Sequence, residues 1–188
     1  MRTFELALKK ENGELVTVKD EKGDERVIFA FPEARLPVYQ TKYAAGADFF
    51  CAEDVVIPSI WKQVFQGISV GCVSDKKTAD IKPTLVHTGV KANMYEDEVL
   101  EIVNRSSGPK RGLVLANSIG VIDADYYNNA DNDGEIMFAF YNFKLHDVKI
   151  NAGDRIGQGL FKKVLRPEKG CVVLDVTRKS GIGSTGVK

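Results

Sequence analysis

Apolar and polar positions alternate over short stretches along most of this chain, and a period of two marks strands with one buried face. Phe4-Glu5-Leu6-Ala7-Leu8 opens the pattern, Asn12-Gly13 offers a two-residue hairpin turn, and Glu14-Leu15-Val16-Thr17-Val18 resumes it. After a polar link from Lys19 to Glu25, Arg26-Val27-Ile28-Phe29-Ala30-Phe31 completes what reads as an N-terminal meander over residues 1–34. Pro37 lacks a ladder N–H, which argues against a central strand at Leu36-Pro37-Val38-Tyr39. Ala44-Ala45-Gly46 turns the chain into a strand carrying Asp48, and Val55-Val56-Ile57 is a strand stopped by Pro58. The period then changes: apolar residues stand at 60, 61, 64, 65 and 68 behind Ser59, a suitable N-cap, so one short helix is predicted over Ser59–Ile68. Beyond the polar loop from Lys76 to Pro83, strands are predicted at Thr84–Val86, Glu98–Val103, Phe138–Phe143 and Cys171–Val176, with apolar runs at Leu113–Leu115 and Ile136–Phe140 and with Asp154–Phe161 following a turn at Asn151-Ala152-Gly153. Asn128 to Gly134 is a very polar bend, and residues 178–188 read as a mobile glycine-rich arm. The pattern predicts a single all-β domain over residues 1–188, with a jelly-roll or barrel-like core of many short strands.

Composition narrows the function classes. The 188 residues suffice for one domain with a real core, and 26 basic against 26 acidic residues give no net charge. A generic nucleic-acid coat or membrane-surface protein would show a basic excess. No apolar run approaches the ~18 residues of a membrane span, and Met1-Arg2-Thr3-Phe4-Glu5 lacks the character of a signal peptide, so a cytoplasmic protein is expected. Cys51, Cys72 and Cys171 are odd in number and lack paired spacing, which reads as reduced thiols. His87 and His146 have no spaced partners, and zinc is not expected.

The candidate chemistry centres on Gly120-Val121-Ile122-Asp123-Ala124-Asp125-Tyr126, which reads as the mouth of a tight hairpin between apolar runs. In a strand Asp123 and Asp125 would share a side; if the chain turns, one acid can enter a pocket alone. Three patches pair cations with glycine or hydroxyls: Arg105-Ser106-Ser107, Arg155-Ile156-Gly157-Gln158, and Arg178 with Ser184-Thr185. Singly, each is ordinary turn or terminus chemistry. Together with the acidic turn they suggest a polyphosphate ligand, neutralised by arginine forks and a divalent cation. Neither GxGxxG nor GxxxxGKS occurs, so Rossmann and P-loop chemistry lose support.

In order and wording these patches resemble the five motifs of the trimeric dUTPase family. Ala45-Gly46-Ala47-Asp48-Phe49 is similar to the first and Arg105-Ser106-Ser107 to the second. Gly120 to Tyr126 resembles the third, Arg155 to Gln158 the fourth, and Gly181-Ile182-Gly183-Ser184-Thr185-Gly186 the fifth, so the likeness runs from about Leu36 to the C-terminus. The resemblance implies a jelly-roll-like β-barrel, a homotrimer, and hydrolysis of dUTP to dUMP and pyrophosphate with Mg²⁺ held by the substrate phosphates and waters rather than by protein ligands. It makes Asp123 the base for the attacking water, with Asp48 and Arg105 fixing the site. It gives the phosphates to Ser106, Ser107, Gln158, Arg178, Ser184 and Thr185. It gives the base and sugar to Asn117, Gly120, Val121, Ile122, Tyr126 and Ile182.

The chain also departs from that pattern. Tyr127 to Asp133 lengthen the exit from the third motif, Ile182 replaces the usual stacking aromatic, and Arg178 sits one residue closer to it than is common. Pro109 and Lys110 alter the second motif, and residues 1–34 and 59–83 look like additions to a minimal member. One alternative is a deaminase of the dCTP type, which needs a glutamate where Ala139 stands, Glu135 lying too early. Another is a dUTPase-like binding protein with a regulatory partner.

Overall fold

The computed structural model of the protein describes residues 1–20, 22–70 and 81–172. Arg178, Ile182, Ser184 and Thr185 of the expected arm lie outside the described residues, as do Cys72 and most of the expected last strand. The elements in chain order are β1 (Thr3–Leu6), β2 (Lys10–Glu11), β3 (Glu14–Leu15), β4 (Thr17–Lys19), β5 (Glu25–Val27), β6 (Ala47–Phe50), β7 (Val55–Ile57), α1 (Ile60–Val70), β8 (Thr84–His87), β9 (Val90–Asn93), β10 (Glu98–Asn104), β11 (Leu113–Leu115), β12 (Ile119–Asp123), β13 (Met137–Asn142), β14 (Val148–Ile150) and β15 (Arg155–Lys163). Short 3₁₀ turns cover Pro109–Arg111 and Ala124–Tyr126.

Two antiparallel sheets carry the core, one in the order β12-β10-β15-β6 and the other β11-β13-β8. The period of two decides their inner faces: in β13, Phe138, Phe140 and Asn142 are buried while the residues between them are partly exposed. Phe138 meets Phe49 of the facing sheet with ring centroids 5.6 Å apart. Leu100, Ile102 and Ile156 join from one side and Val86, Leu113 and Leu115 from the other. Each fully buried side chain of this size stabilises the fold by about 1.5–3 kcal/mol. This is the all-β fold with one short helix that the pattern predicts; the two sheets stand apart, and no closed barrel forms among the described residues.

The helix starts one residue later and runs slightly further than its predicted span. Ser59 does not spend its hydroxyl on the first turn: it donates to the Lys144 carbonyl at 2.5 Å, while its N–H donates to Asp147 at 3.0 Å, which ties the helix to the loop before β14. At the N-terminus the Asn12-Gly13 turn forms with φ of 53° and 83° and joins β2 to β3. β1 instead pairs with β9, from Thr3 opposite Asn93 to Leu6 opposite Val90. Phe4 thereby reaches Phe49 and Phe161, at 5.4 and 5.2 Å between centroids. The strand Val90-Lys91-Ala92-Asn93 escaped the sequence pattern because it is short and carries a lysine where burial is nearly complete.

The apolar runs on either side of the third motif pair as expected, β11 with β13, but the hairpin between them is not tight: it encloses β12, which pairs with β10 of the other sheet. The turn at Ala116–Ser118, with Ser118 at φ 60°, carries the chain from one sheet to the other. β12 therefore lies at the edge of its sheet. Among the described residues no helix is long and apolar enough to cross a membrane.

Candidate functional site

At that edge a pocket of about 230 Å³ opens between the sheets. Asn117, Gly120, Val121, Ile122, Asp123 and Tyr126, all expected from sequence, line it together with Ile102, Leu85, Met137 and Ala139. Gly120 is required by close approach: a Cβ there would stand 2.3 Å from Ile102 Cγ1 and 3.3 Å from Asn117 Nδ2. Asp123 ends β12 opposite Val99 with an extended backbone, and the chain then bends into the 3₁₀ turn. That bend separates the two acids. Asp123 lines both the pocket and a wider groove of about 560 Å³, which also carries Glu96, Glu98, Asp125 and Arg166; Asp125 lines the groove alone. In the groove, hydrogen bonds from Arg2 hold the Glu98 carboxyl below the ordinary carboxylate range. Tyr126 is buried, and its hydroxyl donates to the Glu135 carbonyl at 2.9 Å while accepting from Asn132 Nδ2 at 2.9 Å.

A second cluster gathers around Asp48, a carboxylate that is 1% exposed. Register places it: Gln158 of β15 lies between Asp48 of β6 and Val103 of β10, and Arg105 follows just past the end of β10. Gln158 Nε2 donates to Asp48 Oδ1 at 2.9 Å and Arg155 Nη1 donates to Oδ2 at 3.2 Å. Arg105 Nε stands 3.4 Å from Oδ1, and its Nη1 donates to the Arg155 carbonyl at 3.3 Å. One negative charge is thus shared by two guanidinium groups, which leaves a positive surplus at the surface suited to an anion. Ser106 is exposed on the turn after β10, and Ser107 lines a shallow crevice with Arg105 and Arg155. Arg155 is the cation of the fourth patch, expected from sequence to help neutralise a polyphosphate; its pairing with Asp48 is what the structure adds.

The pocket and the cluster lie apart within one chain. Asp123 sits opposite Val99 and Gln158 opposite Val103, on the two flanks of β10. Four residues span about 13 Å along a strand and two strand spacings about 10 Å, so the two side-chain positions stand roughly 16 Å from each other.

Ala139 lines the pocket where a deaminase would need its glutamate. Glu135 is engaged elsewhere: Gly89 N–H donates to it at 3.0 Å and His87 Nδ1 lies 3.0 Å away, a contact that raises the imidazole pKa. Cys51 is buried and hydrogen-bonded to the Glu53 carbonyl, and burial pushes its thiol pKa up. Among the described residues no three His, Cys, Asp or Glu side chains cluster as metal ligands.

The scaffold is all-β, with a small pocket on an edge strand and a separate arginine-lined cluster suited to an anion, and comparison with known proteins places it in a family. The dUTPase family model matches residues 72–186. The deoxyuridine 5'-triphosphate nucleotidohydrolase of Lactococcus lactis is 38% identical over 152 residues, covering 80% of this chain and 87% of that protein. Its counterpart in Wolinella succinogenes is 32% identical over 166 residues, covering 86% and 93%. The crystal structure of the Streptococcus mutans dUTPase, at 38% identity, superposes with a TM-score of 0.58 over 71% of this chain and 89% of that one. The dUTPase from phage phi11 of S. aureus shares the fold at 20% identity and a TM-score of 0.56, covering 78% and 94%. The chain belongs to the dUTPase family.

Proposed function

We propose that the protein hydrolyses dUTP to dUMP and pyrophosphate, with a water activated by Asp123 attacking the α-phosphorus. The observation that carries this reading is that Asp123 is the one carboxylate among the pocket's lining residues, at the point where the pocket meets the open groove. A carboxylate there accepts the water's proton as the new P–O bond forms and the P–O bond to the pyrophosphate leaving group breaks. As an edge strand, β12 points every second residue's N–H and C=O away from β10. Such a pair matches the N3–H donor and O4 acceptor of uracil; cytosine reverses that pattern and would leave buried groups unpaired. Asn117 and the backbone of Gly120, Val121 and Ile122 form this wall, and Tyr126 lies beneath the sugar, where a ribose 2′-hydroxyl would meet the ring.

The positive surplus around Asp48 suits the triphosphate. In this reading Arg105, Arg155, Ser106, Ser107 and Gln158 bind phosphate oxygens, while Arg178, Ser184, Thr185 and Ile182 close over the nucleotide from the C-terminal arm. Gln158 and Asp123 would both have to reach the α-phosphate, which a separation of about 16 Å within one chain forbids. Sites shared between subunits resolve this, and a homotrimer is the assembly we propose. Mg²⁺ fits the donors present: the carboxylates of Asp123 and Asp125 are hard oxygen groups open to the groove, able to meet a hydrated ion through water while the phosphates hold it. When bound, the ion would neutralise phosphate charge and polarise the phosphoryl oxygens. A structural Mg(II) ion is described for a mutant of the phage phi11 dUTPase. We further propose one domain over residues 1–188, elaborated at 1–34 and 59–83, working in the cytoplasm.

Parallel incubation with dUTP and dCTP, following pyrophosphate and ammonia, tests the reading. Pyrophosphate from dUTP alone is expected. Ammonia from dCTP would replace it with deamination, and the absence of both products would leave a binding protein.

A further inference from the structure

The polar bend from Tyr127 to Gly134 has been given no function so far, yet it hydrogen-bonds both the hydroxyl and the carbonyl of Tyr126. We infer that this bend, docked on the N-terminal segment, fixes the position of Tyr126 and so sets discrimination against ribonucleotides, with Asn132 as its positioning residue; the inference rests on the dUTP reading above.

Asn132 Nδ2 donates to Tyr126 Oη at 2.9 Å and to the Glu135 carbonyl at 3.2 Å. Its Oδ1 accepts from Asn129 Nδ2 at 2.8 Å and from Gly134 N–H at 3.2 Å. A carbonyl at one end and a backbone N–H at the other fix which way the amide points. Because Asn132 donates to the phenolic oxygen, the phenolic proton is directed at the Glu135 carbonyl, and the ring is held from two sides. Asn129, 5% exposed, repeats the device: its Nδ2 donates to the Tyr126 carbonyl at 3.1 Å and its Oδ1 accepts from the Asp131 and Asn132 N–H groups. Gly134 closes the bend at φ 84°, where a Cβ would press on the Tyr126 carbonyl oxygen at 2.8 Å and on Asn128 N at 2.9 Å.

The bend is anchored from outside. Asp133, 4% exposed, accepts from Lys91 Nζ at 2.7 Å and from the Leu8 N–H at 2.8 Å. Lys10 Nζ donates to the Asn129 carbonyl at 2.8 Å, and Tyr127 Oη donates to Glu5 at 2.7 Å. An ordinary solvated turn has no reason to bury a lysine–aspartate pair, which costs desolvation and returns geometry. Here the geometry returned is that of one aromatic ring, and a ring that excludes a single hydroxyl must be held to within about 0.5 Å.

The test is kcat and KM for dUTP and UTP, with melting temperatures, in the wild type, Asn132→Ala, Tyr126→Phe, the double variant and Lys10→Met. Asn132→Ala is expected to lower the preference for dUTP over UTP about tenfold, the scale of one relaxed contact in a discriminating pocket, chiefly through a lower KM for UTP. In the Tyr126→Phe background it should add little, because the oxygen it holds is gone. Lys10→Met, which leaves Asp133 paired with Lys91, should move the preference the same way by a smaller factor, and it carries the test should Asn132→Ala not fold. An unchanged preference, or equal losses on both substrates that follow melting temperature, overturns the inference while leaving dUTP hydrolysis intact. A wild type that does not turn over dUTP overturns both.

Discussion

Asp123 stands at the end of a strand with its side chain half-buried between pocket and groove, so replacing it should change chemistry more than folding. Asp123→Asn keeps the shape and removes the base; turnover of dUTP should fall by about 10²–10⁴, the usual worth of a general base, with little change in melting temperature. Steady-state pyrophosphate release beside thermal melting checks this, and substantial residual turnover would remove Asp123 from the role. Asp48 should behave in the opposite way. Asp48→Asn leaves Arg105 and Arg155 together without a counter-charge; because their side chains are 22% and 43% exposed, solvent screens the repulsion and the loss should fall below the about 3–5 kcal/mol of a fully buried pair. Denaturant titration should show that loss together with a raised KM; a variant as stable as the wild type would mean the arginines are held by something else. Both acids were legible in the sequence because each sits in a short, unusual run of residue types. Asn132 was not, because one asparagine in a polar bend looks like any turn residue until its partners two to six positions away are seen in space.

At the scale of elements, alternation revealed most strands and the single change of period revealed the helix, since both signals are local. Pairing is not local. Nothing in Leu113–Leu115 or Ile119–Asp123 says that these neighbours join different sheets, although that separation is what exposes the edge of β12. β9 was missed for a related reason, its buried Lys91 being satisfied only by a loop some 40 residues on. The contact between the end of β8 and the start of β13 carries a prediction of its own. His87 stacks near Phe31, and its hydrogen bond to Glu135, helped by Glu53, raises its pKa. A raised folded-state pKa contributes stability that is fully present below the ordinary value of about 6.5 and is lost as pH rises through the raised one. Melting temperature should therefore decline as pH climbs above about 6.5, and His87→Gln should flatten that slope. Parallel slopes for the two proteins would show that the pair contributes no linkage.

The molecule as a whole has its acid at one end of the β10 ladder and its arginine cluster at the other, and this arrangement makes assembly testable without imaging it. If each site takes Asp123 from one subunit and Ser106 and Gln158 from another, two inactive proteins can repair each other. Asp123→Asn supplies intact phosphate clusters, and Ser106→Ala/Gln158→Ala supplies intact bases. Unfolded together in equal amounts and refolded, they assemble at random; half the bases and half the clusters are sound, so about one site in four has both. The mixture should recover roughly a quarter of wild-type turnover, whereas the same two proteins mixed without exchange of subunits should stay inactive. No recovery after refolding would confine each site to one chain and would require the C-terminal arm or a large rearrangement to bridge the roughly 16 Å between Asp123 and Gln158. Motif order alone does not make this choice, because it is the same whether the parts of a site meet within a subunit or across an interface; the family resemblance, which implies a homotrimer, is what points to the second.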